Sequence, residues 1–347
     1  MNIYDLETPA VLIDLERMER NIQRMQAHCN SLGLAFRPHI KTHKIPEIAR
    51  MQLDAGAVGI ACQKISEAEV FAQAGFNDIQ IPYNIVGAAK TRRLVDLVLY
   101  NRVTVAADHL LVISGLAEAA KKEDLAIRVM LELGTDAERT GAQPDQMVEF
   151  AKRIDVDENL HFAGLIVYPS NPSVRPALQE TLSLLHHAGI GVDTVSGGGT
   201  GAARLAKEVP ELTELRVGTY VFNDWTCVMR KWADMDDCAM VVAATVVSHP
   251  TADRVILDSG SKTLAADTID GGHGFIMEYP DAYIYKLNEE HAYVDMSRCT
   301  TRPVIGDRVH VIPVHACVVM NLHDRIYGYR GEQVEVEWTT AARGKVQ

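Results

Sequence analysis

Between Ala35 and Thr219, short apolar runs alternate with segments of helical periodicity. The runs are LAFRP, VGIAC, IQIPY, VTVAA, AIRVML, FAGLIVY, DTVSGG and LRVGTY. Segments such as KTRRLVDLVLYN, LLVISGLAEAAKKE and DQMVEFAKRI lie between them and repeat their apolar residues at helical spacing. Eight strand–helix units predict a (β/α)8 barrel, an α/β fold resembling the TIM barrel. A doubly wound open sheet is the alternative architecture.

The texture changes after Met235. AMVVAATVVSH, DRVILDSG, YIYKLN, AYVDM, DRVHVIPVHACVVM and QVEVEW are β-type runs separated by turn signals. They predict a C-terminal all-β domain over residues 236–347, following a barrel over residues 1–235. AVLIDLE precedes the first barrel unit, so this strand is free to pair with the β domain.

Against a net charge of -12, one octapeptide stands out: RPHIKTHK, Arg37 to Lys44, with Arg37, His39, Lys41, His43 and Lys44. The acidic background argues against nucleic acid or an anionic membrane as partner. No apolar stretch has transmembrane length, and the N-terminus lacks a signal-peptide core, which together predict a cytoplasmic protein. The six cysteines are scattered with no CxxC pair, as suits a reducing compartment.

RPHIKTHK follows an apolar pair, as at the C-terminal mouth of a barrel strand, where barrel active sites form. Period-two alternation would put Arg37, His39 and Lys41 on one face, and a lysine among cations is suited to Schiff-base chemistry. A solvated basic turn is the other reading, and Lys44 is expected to be solvated in either case. In VDTVSGGGTGAARL a strand ends in glycines before a helix, a junction whose amides bind phosphate, with Ser196 and Thr200 adding hydroxyls. LRVGTYVFND brings Gly218, Thr219 and Tyr220 to the same rim. LELGTDAERTGA carries Arg139, able to hold a carboxylate or a phenolate-like oxygen. In PVHACVVM, His315 and Cys317 are two apart on an expected strand and would share a face. Imidazole and thiolate are good zinc ligands, although a buried core pair reads equally well.

Together these stretches resemble the D-threonine aldolase/D-serine dehydratase family, pyridoxal phosphate enzymes of the alanine-racemase-like fold. The resemblance is carried by ETPAVLIDLERMERNI, RPHIKTHK, CQKISEAEV, ERTG, VSGGGT, GTYVFND, LDSGSKTLAAD, GGHG and VHACVVMNLHDRIYGYRG, from end to end of the chain. It implies that Lys41 carries pyridoxal 5'-phosphate, that Arg139 approaches its O3′ side, and that Gln63 and Tyr168 line its ring. Gly197, Gly198, Gly199, Thr200, Gly218, Thr219 and Tyr220 would surround the phosphate. His315 and Cys317 would bind a divalent metal (zinc, manganese or magnesium), with Cys317 favouring the zinc-dependent dehydratases. His39 shares the pocket as a catalytic candidate, and His43 stays undecided. The implied activity is a metal-dependent lyase acting on β-hydroxy-D-amino acids, as a homodimer in which each β domain completes the partner's site. Retro-aldol cleavage leads, with D-serine or 3-hydroxy-D-aspartate dehydration second. Racemisation and non-catalytic carriage of the cofactor come third.

Overall fold

A computed structural model describes all residues, Met1–Gln347. Two compact units divide the chain: Met25–Lys41, Pro46–Gly218 and Lys345–Gln347 form one, and Met1–Arg24, Thr42–Ile45 and Thr219–Gly344 the other. No helix is long and apolar enough to cross a membrane.

The first unit is a parallel eight-stranded sheet. Its strands, following β1 (Ala10–Asp14) of the other unit, are β2 (Ala35–Phe36), β3 (Ile60–Ala61), β4 (Asp78–Asn84), β5 (Arg102–Ala107), β6 (Ile127–Leu133), β7 (Leu160–Val167), β8 (Val195–Gly198) and β9 (Glu214–Arg216). Their spatial order is β2-β9-β8-β7-β6-β5-β4-β3. The two end strands meet through a parallel bridge between His39 and Ala61 and through Val58 N–H to Phe36 O and Ala61 N–H to Pro38 O, both 2.9 Å. The sheet therefore curls into a ring in chain order, which excludes the open-sheet alternative. Every one of the eight predicted runs contributes a strand. Those runs are nearly continuous in apolar residues because a parallel barrel sheet is covered on both faces.

Helices follow the strands at the expected places, among them Ala88–Val98, Leu110–Lys122 and Pro144–Asp155. The last has Pro144 at its first turn and Lys152 and Arg153 in its last, each favoured by helix-end geometry or dipole.

The second unit is mostly antiparallel. It contains β10 (Met240–Thr251), β11 (Arg254–Leu257), β12 (Gly274–Ile276), β13 (Tyr283–Leu287), β14 (Ala292–Asp295), β15 (Arg308–Pro313), β16 (Arg325–Arg330) and β17 (Gln333–Thr339). β1 belongs here: it pairs antiparallel with β10, Leu12 opposite Val241, and parallel with β16, Leu12 opposite Tyr327. Ile3, Leu6, Ala10, Leu12, Val241, Ala243 and Ile312 form a core beneath this pairing. β12 and β16 are strands that the sequence pattern does not single out. β16 reads RIYGYR, where arginines and a glycine mask the alternation.

Candidate active site

Arg37 and His39 prolong β2 past its formal end, their N–H groups donating to Leu215 O and Val217 O at 2.9 Å. The chain then turns into a single 3₁₀ turn, Ile40–Thr42. Lys41 is on this turn and not on the strand, so the expected shared face of Arg37, His39 and Lys41 does not form. Arg37 is buried in the barrel unit, two residues before His39 on the same strand extension. Its guanidinium donates to Glu214 at 2.9 Å and to Asp78 at 2.6 Å, each the first residue of its strand. Burial alone would lower the pKa of Arg37. The two carboxylates more than offset this and raise it. Lys44, expected in solvent, is buried at φ +59° and donates to Ala342 O at 3.3 Å. The octapeptide is therefore no basic patch: two of its cations are buried and partnered.

Lys41 is half-buried. Its backbone N–H donates to His39 Nδ1 at 3.4 Å, and His39 Nε2 is 3.1 Å from Gln63 Oε1. With Nδ1 accepting, the ring proton resides on Nε2 and is donated to Gln63. This links three of the expected residues, Lys41, His39 and Gln63, at the mouth of β2 and β3. His39 has both nitrogens engaged there, which makes it a positioning group for the Lys41 turn. His43 is fully buried, with Nδ1 accepting from Ile45 N–H at 3.1 Å.

A second cluster sits at the ends of β6 to β9. The Arg139 guanidinium lies 4.4 Å above the Tyr168 ring, and its Nη2 is 3.8 Å from Glu132. A Cβ on Gly198 would come 3.2 Å from Tyr168 Cδ2, 3.0 Å from Arg216 O and 3.5 Å from Arg216 Nη2. Gly197 is held as tightly, a Cβ there meeting Ser170 Oγ at 2.7 Å. Gly199 has φ +111° and caps the short helix Thr200–Ala203, whose opening amides have no carbonyl behind them. Bare backbone, unpaired amides and the Thr200 hydroxyl suit a phosphate. The Tyr168 and Arg139 side chains suit a flat ring with a phenolic oxygen. The cluster therefore fits pyridoxal phosphate.

Ser196 does not join the cradle. It is fully buried, its hydroxyl donating to Glu214 Oε1 at 2.5 Å while Arg216 donates to its Oγ and O at 2.6 Å. Ser196 shares a face with Gly198 but lies two residues deeper in the strand, where Glu214 and Arg216 take up its hydroxyl. Arg216 lies in the run LRVGTY and is not among the expected site residues. Burial pushes its guanidinium down to about 10, with Glu214 and Glu132 partly offsetting. A charged residue inside an apolar run, as in LRVGTY, is the signal that would have found it.

The expected metal pair has a different local structure from that predicted. β15 stops at Pro313, and His315 caps a helix, Ala316–Met320, so Cys317 is helical and not on a strand. The two side chains still meet. A hydrogen bond with Cys317 raises His315 to about 9, against the opposing effect of burial, and Asp267 is 3.6 Å from His315 Nδ1. Asp224 fixes this turn from behind, accepting from Ala316 N–H at 3.1 Å and from Cys227 N–H at 3.0 Å. Thr42 Oγ1 lies 3.2 Å, and Thr219 Oγ1 3.7 Å, from Cys317 Sγ. Thr219 thus turns its hydroxyl to the sulfur, and Tyr220 is buried. Gly218 is half-buried just beyond β9. No three His, Cys, Asp or Glu side chains converge to hold an ion unaided. An imidazole and a thiol, with other positions left to water or substrate, fit an open zinc-type site. Thr42, Asp224 and Asp267 are further residues that the sequence reading missed.

A family model described as "Alanine racemase, N-terminal domain" matches residues 13–224, and another, "Putative serine dehydratase domain", matches residues 239–329. The chain is 34% identical to a D-threonine aldolase from Arthrobacter sp, over 98% of this chain and 93% of the relative. It is 30% identical to a D-threo-3-hydroxyaspartate dehydratase from Delftia sp. (strain HT23), over 99% and 97%. Similar solved structures of a D-threo-3-hydroxyaspartate dehydratase include alanine substitutions of a histidine and of a cysteine two positions apart, the cysteine mutant in a metal-free form. The crystal structure of a D-threonine aldolase from Filomicrobium marinum superposes with a TM-score of 0.91 at 31% identity, covering 99% of this chain and 97% of that one. Aldolases and dehydratases of this kind are lyases, and the chain belongs to their family, the D-threonine aldolase/D-serine dehydratase family.

Proposed function

We propose that this lyase cleaves β-hydroxy-D-amino acids of the D-threonine type to glycine and an aldehyde, using pyridoxal phosphate and a divalent metal. The observation that carries the reading is the cluster of Arg139, Tyr168, Gly198, Gly199 and Arg216 at the strand ends. When bound, pyridoxal phosphate supplies an electron sink for a bond broken at Cα, and the metal supplies a Lewis acid for the β-hydroxyl.

The chain's own groups do the rest. Lys41 Nζ would hold the cofactor at the mouth of the barrel. Gly197, Gly198, Gly199, Thr200 and Gly218 hold the phosphate end, with Thr219 and Tyr220 beginning the next turn. Arg139 and Tyr168 face the ring, and Gln63 orients His39, which orients the Lys41 turn. His315 and Cys317 would be the protein ligands to the metal.

Dehydration to a keto acid and ammonia is the second reading, favoured by the sulfur ligand. There Lys41 Nζ would be the base that takes the Cα proton. We further propose a cytoplasmic homodimer; the six free cysteines support a reducing setting.

The test is an absorption spectrum of the purified protein with added cofactor. A Schiff-base band, absent in Lys41→Ala, is expected, and its absence from the wild type would refute the reading. Product analysis with D-threonine and D-serine, with and without chelator, then separates glycine plus acetaldehyde from pyruvate plus ammonia.

A further inference from the structure

We infer that Thr42 and Thr219 are positioning residues for the Cys317 sulfur, their hydroxyls fixing how that sulfur is presented to a divalent ion. The inference rests on the proposal that His315 and Cys317 are the metal pair.

Cys317 stands apart from the other cysteines. Cys29, Cys62, Cys227, Cys238 and Cys299 are buried, whereas Cys317 is half-exposed. Burial pushes Cys29 and Cys238 up to about 12, so both are neutral packing groups. Around Cys317 three polar side chains converge on sulfur. Thr42 Oγ1 approaches to 3.2 Å, Thr219 Oγ1 to 3.7 Å, and His315 shares a hydrogen bond with it.

The threonines are placed by backbone that has little freedom. Thr42 is completely buried at the end of the turn Ile40–Thr42. Its β-branched side chain has few rotamers, and a buried hydroxyl needs a partner. The sulfur is that partner. Thr219 opens the turn Thr219–Val221, whose first carbonyl accepts from Phe222 N–H at 3.1 Å and Asn223 N–H at 2.7 Å. Both hydroxyls are therefore aimed before any ion arrives.

Once a metal holds the sulfur as thiolate, the sulfur has no proton to give, so the hydroxyls must be the donors. A donor to a thiolate ligand draws charge from it and restricts its lone pairs. Replacement by valine keeps the shape and removes the donor. Outer hydrogen-bond partners of metal ligands are typically worth about 10–100-fold in metal affinity.

The experiment titrates the metal-free full-length protein with Co²⁺, following the sulfur-to-cobalt charge-transfer band and the affinity by chelator competition. Thr42→Val is expected to shift the band and weaken binding about tenfold or more. Thr42→Ser should restore both, and Thr219→Val should give a smaller change in the same direction, because its contact is longer. If Thr42→Val does not fold, the half-buried Thr219→Val carries the test. A wild-type band with unchanged position and affinity in the valine variants would overturn the inference and leave the metal reading standing. A wild type with no such band, and with Co²⁺ binding unaffected by Cys317→Ser, would overturn both.

Discussion

Replacing Arg37 by methionine tests whether the barrel interior depends on its buried charges. The Arg37 side chain is 10% exposed and that of Glu214 is 6% exposed. In Arg37→Met, Glu214 keeps hydrogen bonds only from neutral donors, Ser196 at 2.5 Å and Gln80 at 3.4 Å, with Arg216 as the remaining charge that interacts with it. Removing one partner of such a pair costs about 3–5 kcal/mol, most of it from the charge left behind. Asp78 adds less, because it is 27% exposed and also lies 3.6 Å from Arg102. Adding Glu214→Gln removes the stranded charge, so the double variant should be more stable than Arg37→Met alone. The assay is urea unfolding followed by the far-ultraviolet helical signal. Trp225, Trp232 and Trp338 all belong to the other unit, so their fluorescence reports that unit separately. An Arg37→Met variant within about 1 kcal/mol of wild type, or a double variant that only sums the two losses, would refute the reasoning.

Three further outcomes follow from the same geometry. Gly199→Ala places a side chain at φ +111°, so it should cost about 1–2 kcal/mol in a denaturation curve and weaken cofactor retention on dialysis. Asp224→Asn can accept only one of the two N–H groups that the carboxylate now accepts. It should lose about 1 kcal/mol of stability and bind zinc more weakly, read by thermal unfolding and chelator competition. Burial raises the pKa of Glu132, opposed by the Thr140 hydroxyl, so the folded state holds this proton more tightly than the unfolded chain. That contribution is complete below the ordinary carboxylate range and is lost as pH rises through the folded value. Glu132→Gln should thus gain stability relative to wild type between acid and neutral pH, and a flat difference across denaturation curves at several pH values would contradict this.

How much of this was legible in the sequence depends on which interactions are local. The eight barrel strands could be read because burial on both faces leaves continuous apolar runs. The glycine cradle could be read because a strand, bare backbone and a helix follow one another within a few residues. The helix after His315 could not, since HACVVM is equally apolar as strand or helix and only Pro313, which ends the strand, marks the change. The contact between Arg37 and Glu214 joins residues 177 apart in the chain, and that between Thr42 and Cys317 joins residues 275 apart. No periodicity encodes either.

One rule would still have recovered part of the interior. A charged residue within a run that a closed barrel buries must find a partner there, because an unpaired buried charge is too costly. Arg37 in LAFRP, Glu132 in MLEL, and Glu214 and Arg216 in ELR are such residues, and each is partnered inside the barrel unit. Applied to RPHIKTHK, the rule separates its cations by position. Arg37, still within the strand run, has to be paired inward, whereas Lys41, beyond the last strand hydrogen bond, is the amine left at the mouth. Charge counting treats the two alike, and the point at which the strand ends distinguishes them.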